Sequence, residues 1–250
     1  EFCKQLVRNA PRFMNDGGWF QMACNWAEQE SIDWKEQLAT WFEGNGCDVW
    51  VLRFENDDPA EYATAWIRQS EGDDLELYEE RYSRWMKFLN DQNIASLSMG
   101  FVTMRLNPGA KNWIEAEDAP GAPKGEAADQ IRRVFAAKDL LFATPDDQLL
   151  NLVPTIAPEV VLEQIWHSDE DRLIQKAFKV SLTEGLPYWG QIDRMGAGVL
   201  ASCDGRRKLR ELLNLMAAEM DVAVADFQEE SLAAIRNLCG TGLIELKPAT

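Results

Sequence analysis

Two short apolar runs, separated by one helix-length stretch, constrain this chain more than any other feature. Trp19-Phe20-Gln21-Met22-Ala23-Cys24 follows the turn Asn15-Asp16-Gly17-Gly18, and Cys47-Asp48-Val49-Trp50-Val51-Leu52 follows Gly44-Asn45-Gly46. Each run is nearly free of charge, the pattern of a strand covered on both faces. A parallel sheet between helices is therefore favoured over a half-exposed hairpin. The stretch between them carries Trp34, Leu38, Trp41 and Phe42 at helical spacing, so the whole reads as one strand-helix-strand unit. Open sheets of this kind bind ligands beyond the carboxyl ends of their strands, here near Cys24 to Trp26 and Arg53 to Asn56. Asn25 and Trp26 close the first strand in this reading. They are the substrate-side candidates, combining an amide with a large flat surface; the structural alternative is an Asn capping the next helix with a Trp packed on it.

The rest of the chain extends the pattern. Residues 1–14 read as a helix through Phe2, Leu6, Val7 and Phe13, and since Glu1 is not an initiator methionine the chain is expected to start inside a domain. Asp57 or Asp58 is expected to cap a helix opening at Pro59, and an aromatic stripe follows on a second helix over about 75–90. Ile94 to Leu106 alternates as a third strand, with Gly100 marking a bulge or a close approach. Residues 115–125 hold two prolines and two glycines and no large apolar side chain. They read as a linker between domains at 1–114 and 126–250. The second domain opens with a helix over 127–141 and continues through strand-like runs at 149–156, 160–167, 173–183 and 186–192, expected to form an antiparallel layer. It ends with two helices, around Leu209 to Met216 and Phe227 to Leu238, and a strand after Gly240-Thr241-Gly242, a winged-helix-like order.

Composition narrows the classes. With 250 residues and 46% apolar side chains the chain can bury a substantial core. Its 42 acidic and 25 basic residues leave a net charge of −17, which repels phosphate backbones and argues against nucleic-acid binding by this chain alone. The deficit lies mostly in residues 1–123, with 22 acidic and 11 basic side chains against 20 and 14 in the remainder. Five scattered cysteines without a C-x-x-C pair read as reduced thiols of a cytoplasmic protein. No apolar run reaches the length of a bilayer span, and no membrane partner is expected.

At this point the residues carry a resemblance. Helix, Gly17-Gly18 turn, strand, helix, strand Cys47 to Phe54, inserted helices and a last strand to Leu106 resemble the carboxyl half of a class I S-adenosylmethionine-dependent methyltransferase. GGWFQMACNWAEQ and WFEGNGCDVWVLR are similar to bacterial enzymes that carry an Asn-Pro-Pro-Tyr motif and methylate glutamine or adenine nitrogens. The resemblance implies the rear half of a Rossmann-like α/β sheet, two parallel strands with the last strand inserted antiparallel between them and helices on both faces, followed by an α+β winged-helix-like domain. It implies a methyl transfer from S-adenosylmethionine to a nitrogen, with a protein glutamine favoured as acceptor by the charge, or a small-molecule acceptor. The glycine-rich cofactor loop, the acidic residue on the cofactor ribose and Asn-Pro-Pro-Tyr itself do not occur in these 250 residues. The cofactor would therefore be bound by upstream parts of a longer parent, no catalytic residue carries over, and the chain alone is expected to be inactive. The competing class is a non-enzymatic protein-binding or regulatory module; a nucleic-acid-modifying methyltransferase is a further alternative.

Other constellations are better explained without chemistry. His167 is the single histidine and no G-x-S-x-G elbow accompanies it, which argues against a hydrolase. Paired Cys or His at zinc spacing is absent, so no metal site is expected. Gly196-Ala197-Gly198 and Gly240-Thr241-Gly242 lack the Lys-Ser/Thr of a phosphate loop and read as turns. The pairs Asp57/Asp58 and Asp73/Asp74 read as caps and solvated loops, and the basic cluster Arg206, Arg207, Lys208 and Arg210 as a solvated helix face.

Overall fold

The computed structural model describes residues 1–71 and 75–249. The chain divides into two compact units, Glu1–Ala119 and Pro120–Thr250. Both mix helices and strands, and the sheet of the first contains parallel and antiparallel neighbours.

In the first unit, α1 (Phe2–Asn9) runs into a 3₁₀ turn (Ala10–Phe13), and β1 (Trp19–Gln29) follows. Helix α2 (Trp34–Phe42) starts where Asp33 Oδ1 accepts from the backbone N–H of Lys35 (2.8 Å) and Glu36 (3.2 Å), satisfying donors the first turn leaves open. It stops at Gly44 and Gly46, both at positive φ. Then come β2 (Cys47–Asp57), α3 (Pro59–Glu71), α4 (Leu75–Asp91), β3 (Ile94–Leu106) and β4 (Ile114–Asp118). Asp58, of the two expected caps, receives the N–H groups of Ala60 and Glu61 at 2.7 and 2.9 Å.

The strand order is β1-β3-β2-β4. Strand β3 is antiparallel to both β1 and β2, so β1 and β2 run the same way with a reversed strand between them. Sequence reading placed a linker at 115–125, but Ile114–Asp118 is a fourth strand, parallel to β2. Its Glu-Ala-Glu-Asp composition hid it, since short acidic strands suit a sheet edge and carry no apolar signature. On one face α1 and α2 bury Val7, Trp34, Leu38, Trp41 and Phe42 against Cys24, Trp26, Val49, Val51, Val102 and Met104. On the other, α3 and α4 pack on β2 and β3 and bury Ala63, Ile67 and Leu89.

Two departures from regularity shape this sheet. A Cβ at Gly100 would stand 2.2 Å from the Leu52 carbonyl oxygen and 2.7 Å from the Trp26 ring, so only glycine lets β2 and Trp26 approach β3 this closely. Opposite it, β2 carries a bulge: Arg53 pairs with Gly100 and Glu55 with Met99, leaving Phe54 without a partner residue. Phe54 packs edge-on against Phe101.

The second unit contains α5 (Ala128–Ala143), α6 (Asp146–Leu149), β5 (Val153–Ile156), β6 (Val160–Asp169), β7 (Arg172–Leu182), β8 (Trp189–Ile192), α7 (Arg194–Ser202), α8 (Leu209–Met220), α9 (Val224–Gly240) and β9 (Ile244–Lys247). The strands do not form one layer as expected. Strands β6, β7 and β8 make an antiparallel sheet, while β5 pairs with the terminal β9. Gly196 and Gly198, read as a turn, lie inside α7, where Asp193 caps the helix through the Gly196 N–H at 2.7 Å. Leu149, Val180, Val199, Leu209, Leu213, Ile235 and Leu243 meet in the core.

Candidate functional site

The carboxyl ends of β1 and β2, where a ligand edge is expected, hold a buried polar cluster centred on Glu28. The glutamate is 8% exposed. Its Oε1 accepts from Trp26 Nε1 (3.1 Å), Ser98 Oγ (2.5 Å) and Arg53 Nη1 (2.9 Å), and its Oε2 from Arg53 Nη1 (3.1 Å), Asn56 Nδ2 (3.2 Å) and Ser96 Oγ (3.3 Å). Strand alternation explains the convergence. Trp26 and Glu28 leave β1 on one face, opposite Ser98 and Ser96 of β3, and the bulge at Phe54 turns Asn56 onto the same face as Arg53.

Arg53 ties the cluster to both edges of the sheet. Its Nε donates to Asp118 on β4 at 2.5 Å, and its guanidinium lies over the Trp34 ring, 4.2 Å from the centroid. Trp34 in turn stacks on Trp26 at 5.9 Å. Burial works against the Arg53 charge, yet the hydrogen bonds to Asp118 and Glu28 outweigh it and hold the group's pKa above its ordinary value. A guanidinium between two carboxylates and an indole face is oriented by charge, geometry and stacking together.

A carboxylate offers about four lone-pair positions. Six donor contacts fill those of Glu28, so the protein itself engages the whole carboxylate. What the arrangement can do is fix the ends of β1, β2 and β3 as one rigid rim.

The two residues expected at this edge part company. Trp26 belongs to the cluster and is buried. Asn25 faces the opposite side of β1 and its Nδ2 reaches the Tyr62 hydroxyl at 3.4 Å; Tyr62 packs between Trp66 and Trp85. Burial pushes the Tyr62 phenol up, and the Asn25 contact partly offsets it. Neither residue closes the strand, because β1 continues to Gln29. Sequence reading therefore cut the strand short and missed Glu28. The signal that could have found it is period two: Trp26-x-Glu28 on one strand facing Ser96-x-Ser98 on another.

A second buried carboxylate sits at the opposite end of β2. Asp48, 1% exposed, accepts from Arg105 Nη2 (2.6 Å), Asn107 Nδ2 (2.9 Å), Asn112 Nδ2 (3.3 Å) and the Trp113 N–H (3.4 Å). It staples the connection between β3 and β4.

The remaining candidates are structural. His167 lies exposed on β6, and among the described residues no three His, Cys, Asp or Glu side chains converge to hold a metal ion. In the basic cluster, Arg206 N–H and the Arg207 guanidinium bond Asp204, whose pKa is lowered first by the Arg206 N–H, and Arg210 donates to the Asp147 carbonyl. Asp73 and Asp74 lie outside the described residues. In the second unit the buried Gln130 bridges α5 to the β7–β8 connection, taking the Leu186 N–H at 2.6 Å and donating to its carbonyl at 3.2 Å. Among the described residues no helix is long and apolar enough to cross a membrane.

Against known proteins, residues 133–246 match a domain of unknown function, DUF7782. That stretch lies within the second unit and spans less than half of the chain. No curated protein matches the chain.

Proposed function

We propose that the first unit is the rear half of a class I methyltransferase domain, and that the parent polypeptide transfers a methyl group from S-adenosylmethionine to a nitrogen, with a protein glutamine as the favoured acceptor. The observation that carries this reading is the reversed strand β3 between the like-directed β1 and β2. A doubly wound sheet ending in that order resembles the carboxyl end of this enzyme class, and β1 stands at the free edge where the earlier strands would join.

Within this reading the Glu28 cluster is the rigid rim of the acceptor side. The sulfonium methyl is already reactive, so holding the acceptor in line with it is most of the catalytic task. The second unit, with α8, α9 and the turn into β9, is in this reading a winged-helix-like module that contacts a partner protein.

The test starts upstream. The natural reading frame ahead of Glu1 is expected to encode Asn-Pro-Pro-Tyr and, before it, a strand with a glycine-rich turn. Calorimetry on that longer polypeptide should show saturable S-adenosylmethionine binding, and on the 250-residue chain none. A longer polypeptide lacking those motifs and giving no binding heat overturns the proposal. The saturated carboxylate of Glu28 favours one second reading, a non-enzymatic interaction platform, which predicts capture of a protein partner by the 250-residue chain with no dependence on S-adenosylmethionine.

A further inference from the structure

The second unit holds a cleft of about 570 Å³ on the outer face of its three-stranded sheet. Strands β7 and β8 form the floor, and alternation decides which side chains stand there. Val180, Leu182 and Ile192 turn into the core, so Lys179, Ser181, Trp189 and Gln191 face outward. Ser181 lies opposite Trp189 in the ladder, and Lys179 lies opposite Gln191, farther from the turn. That turn, with Glu184, Gly185 and Pro187, makes one wall, and residues 120–124 supply another. Both are fixed. Lys124 and Gly185 exchange backbone hydrogen bonds at 2.8 and 2.6 Å, and the buried Gln130 of α5 holds both backbone groups of Leu186. At Gly185 φ is +90°, and a Cβ would stand 2.3 Å from Gln130 Oε1, so glycine alone suits this turn. The cleft is therefore formed before anything enters it.

Its lining is unlike the rest of this acidic chain. Trp189, 59% exposed, brings an indole to the floor. Lys124 beside the turn and Lys179 at the far end flank it, against the single carboxylate of Glu184 among the lining residues. Lys179 also reaches Glu163 across the ladder at 3.3 Å, but Glu163 does not line the cleft, and an exposed pair of this kind holds its lysine weakly. We propose that this cleft binds a small planar anion, with an aromatic ring stacked on the Trp189 indole and a phosphate or carboxylate held by Lys124 and Lys179. A nucleoside monophosphate and an aromatic carboxylate share this chemistry. Neighbours across a ladder, or two residues along a strand, stand about 5–7 Å apart, roughly the width of a ring. A ring on Trp189 therefore has the Ser181 hydroxyl and the Gln191 amide at its edge to bond its polar atoms. Stacking and charge each contribute modestly in an open cleft, so recognition takes both halves of the ligand.

The experiment is an NMR titration of the full 250-residue chain, isotope-labelled at its ten tryptophans, with adenosine monophosphate and separately with 4-hydroxyphenylacetate. Each indole N–H is its own probe, and Trp189→Phe identifies the signal of Trp189. That signal should move and saturate with one of the two ligands, at a Kd below about 1 mM. Saturation by the nucleotide assigns a phosphate ligand, and saturation by hydroxyphenylacetate a carboxylate. Adenosine and inorganic phosphate, each half of the nucleotide, should bind at least about tenfold more weakly than the whole. By calorimetry Trp189→Ala should weaken binding roughly tenfold, and Lys124→Gln and Lys179→Gln each roughly threefold, with the lysine effects shrinking at high salt. A Trp189 signal unmoved by both ligands overturns the proposal, as does inorganic phosphate binding as tightly as the nucleotide, or an affinity that Trp189→Ala leaves intact. The titration of the unaltered chain decides the first two outcomes even if a variant fails to fold.

Discussion

Asp48 and Glu28 are chemically the same kind of site at opposite ends of one sheet. Each is a buried carboxylate beside an arginine, two or more side-chain donors and a tryptophan. They differ in what they join. Asp48 receives groups from one continuous stretch, Arg105 to Trp113, and so fixes a single connection. Glu28 gathers Trp26, Arg53, Asn56, Ser96 and Ser98 from three strands at the edge where parallel strands end. The contrast teaches that a satisfied buried carboxylate says nothing of its role until its position relative to strand polarity is known.

The largest expected effect tests the stapling role. Asp48→Ala removes the acceptor of a buried ion pair and should cost about 3–5 kcal/mol. Urea unfolding followed by tryptophan fluorescence reads this out, since eight of the ten tryptophans lie in the first unit. Gly100→Ala comes next. Its new methyl meets the Leu52 carbonyl and Trp26 together, so β3 must shift, at a cost of about 3 kcal/mol. This variant should also raise hydrogen exchange at Arg53 to Asn56, where the bulge lies.

Glu28→Gln sharpens the comparison most. It keeps the shape, and Arg53 retains Asp118, so the stability loss should be about 1–2 kcal/mol. If the proposed methyl transfer holds, the same variant in the longer polypeptide should lower it well beyond that loss, whereas Asp48 variants should act only through stability. If Glu28→Gln destabilises as much as Asp48→Ala and leaves transfer untouched, the two carboxylates have one role and the distinction fails.

The smallest effect is on pH. Burial raises Cys24 and Cys203 to about 12 and Cys47 and Cys239 to about 11. The folded chain therefore holds these protons after the unfolded chain has released them. Their contribution is complete below the unfolded thiol pKa, near 8.5, and is lost as pH rises towards 11–12. Thermal melts should be insensitive to these thiols up to about pH 8 and fall above pH 9; replacing Cys24 and Cys203 with Ala should flatten that fall.

The legible parts of the fold were those where chemistry is local. Glycine turns at Gly44 and Gly46, the cap at Asp58 and the alternation of Ile94 to Leu106 all act within a few residues, and each lies where the sequence pattern put it. Gly100 announced a close approach, though not to what. The illegible parts were decided by distant partners. Glu115 to Asp118 is a strand because β2 offers it a parallel edge, and Glu28 is buried because residues 25 to 70 positions away supply its donors. A lone glutamate after a tryptophan carries no trace of that in its own neighbourhood.

The unpaired Phe54 has a consequence for length variation along the chain. Loops absorb an added or lost residue as slack, but in β2 one residue acts as a parity bit for everything after it. Deleting Phe54 would remove only the extra residue and leave Glu55, Asn56 and Asp57 opposite Met99, Ser98 and Leu97, whereas adding one more residue there would reverse their sides, sending the Asn56 amide away from Glu28 and a carboxylate towards it. Among relatives of this unit, then, substitutions and single-residue gaps at position 54 should be common and insertions there absent.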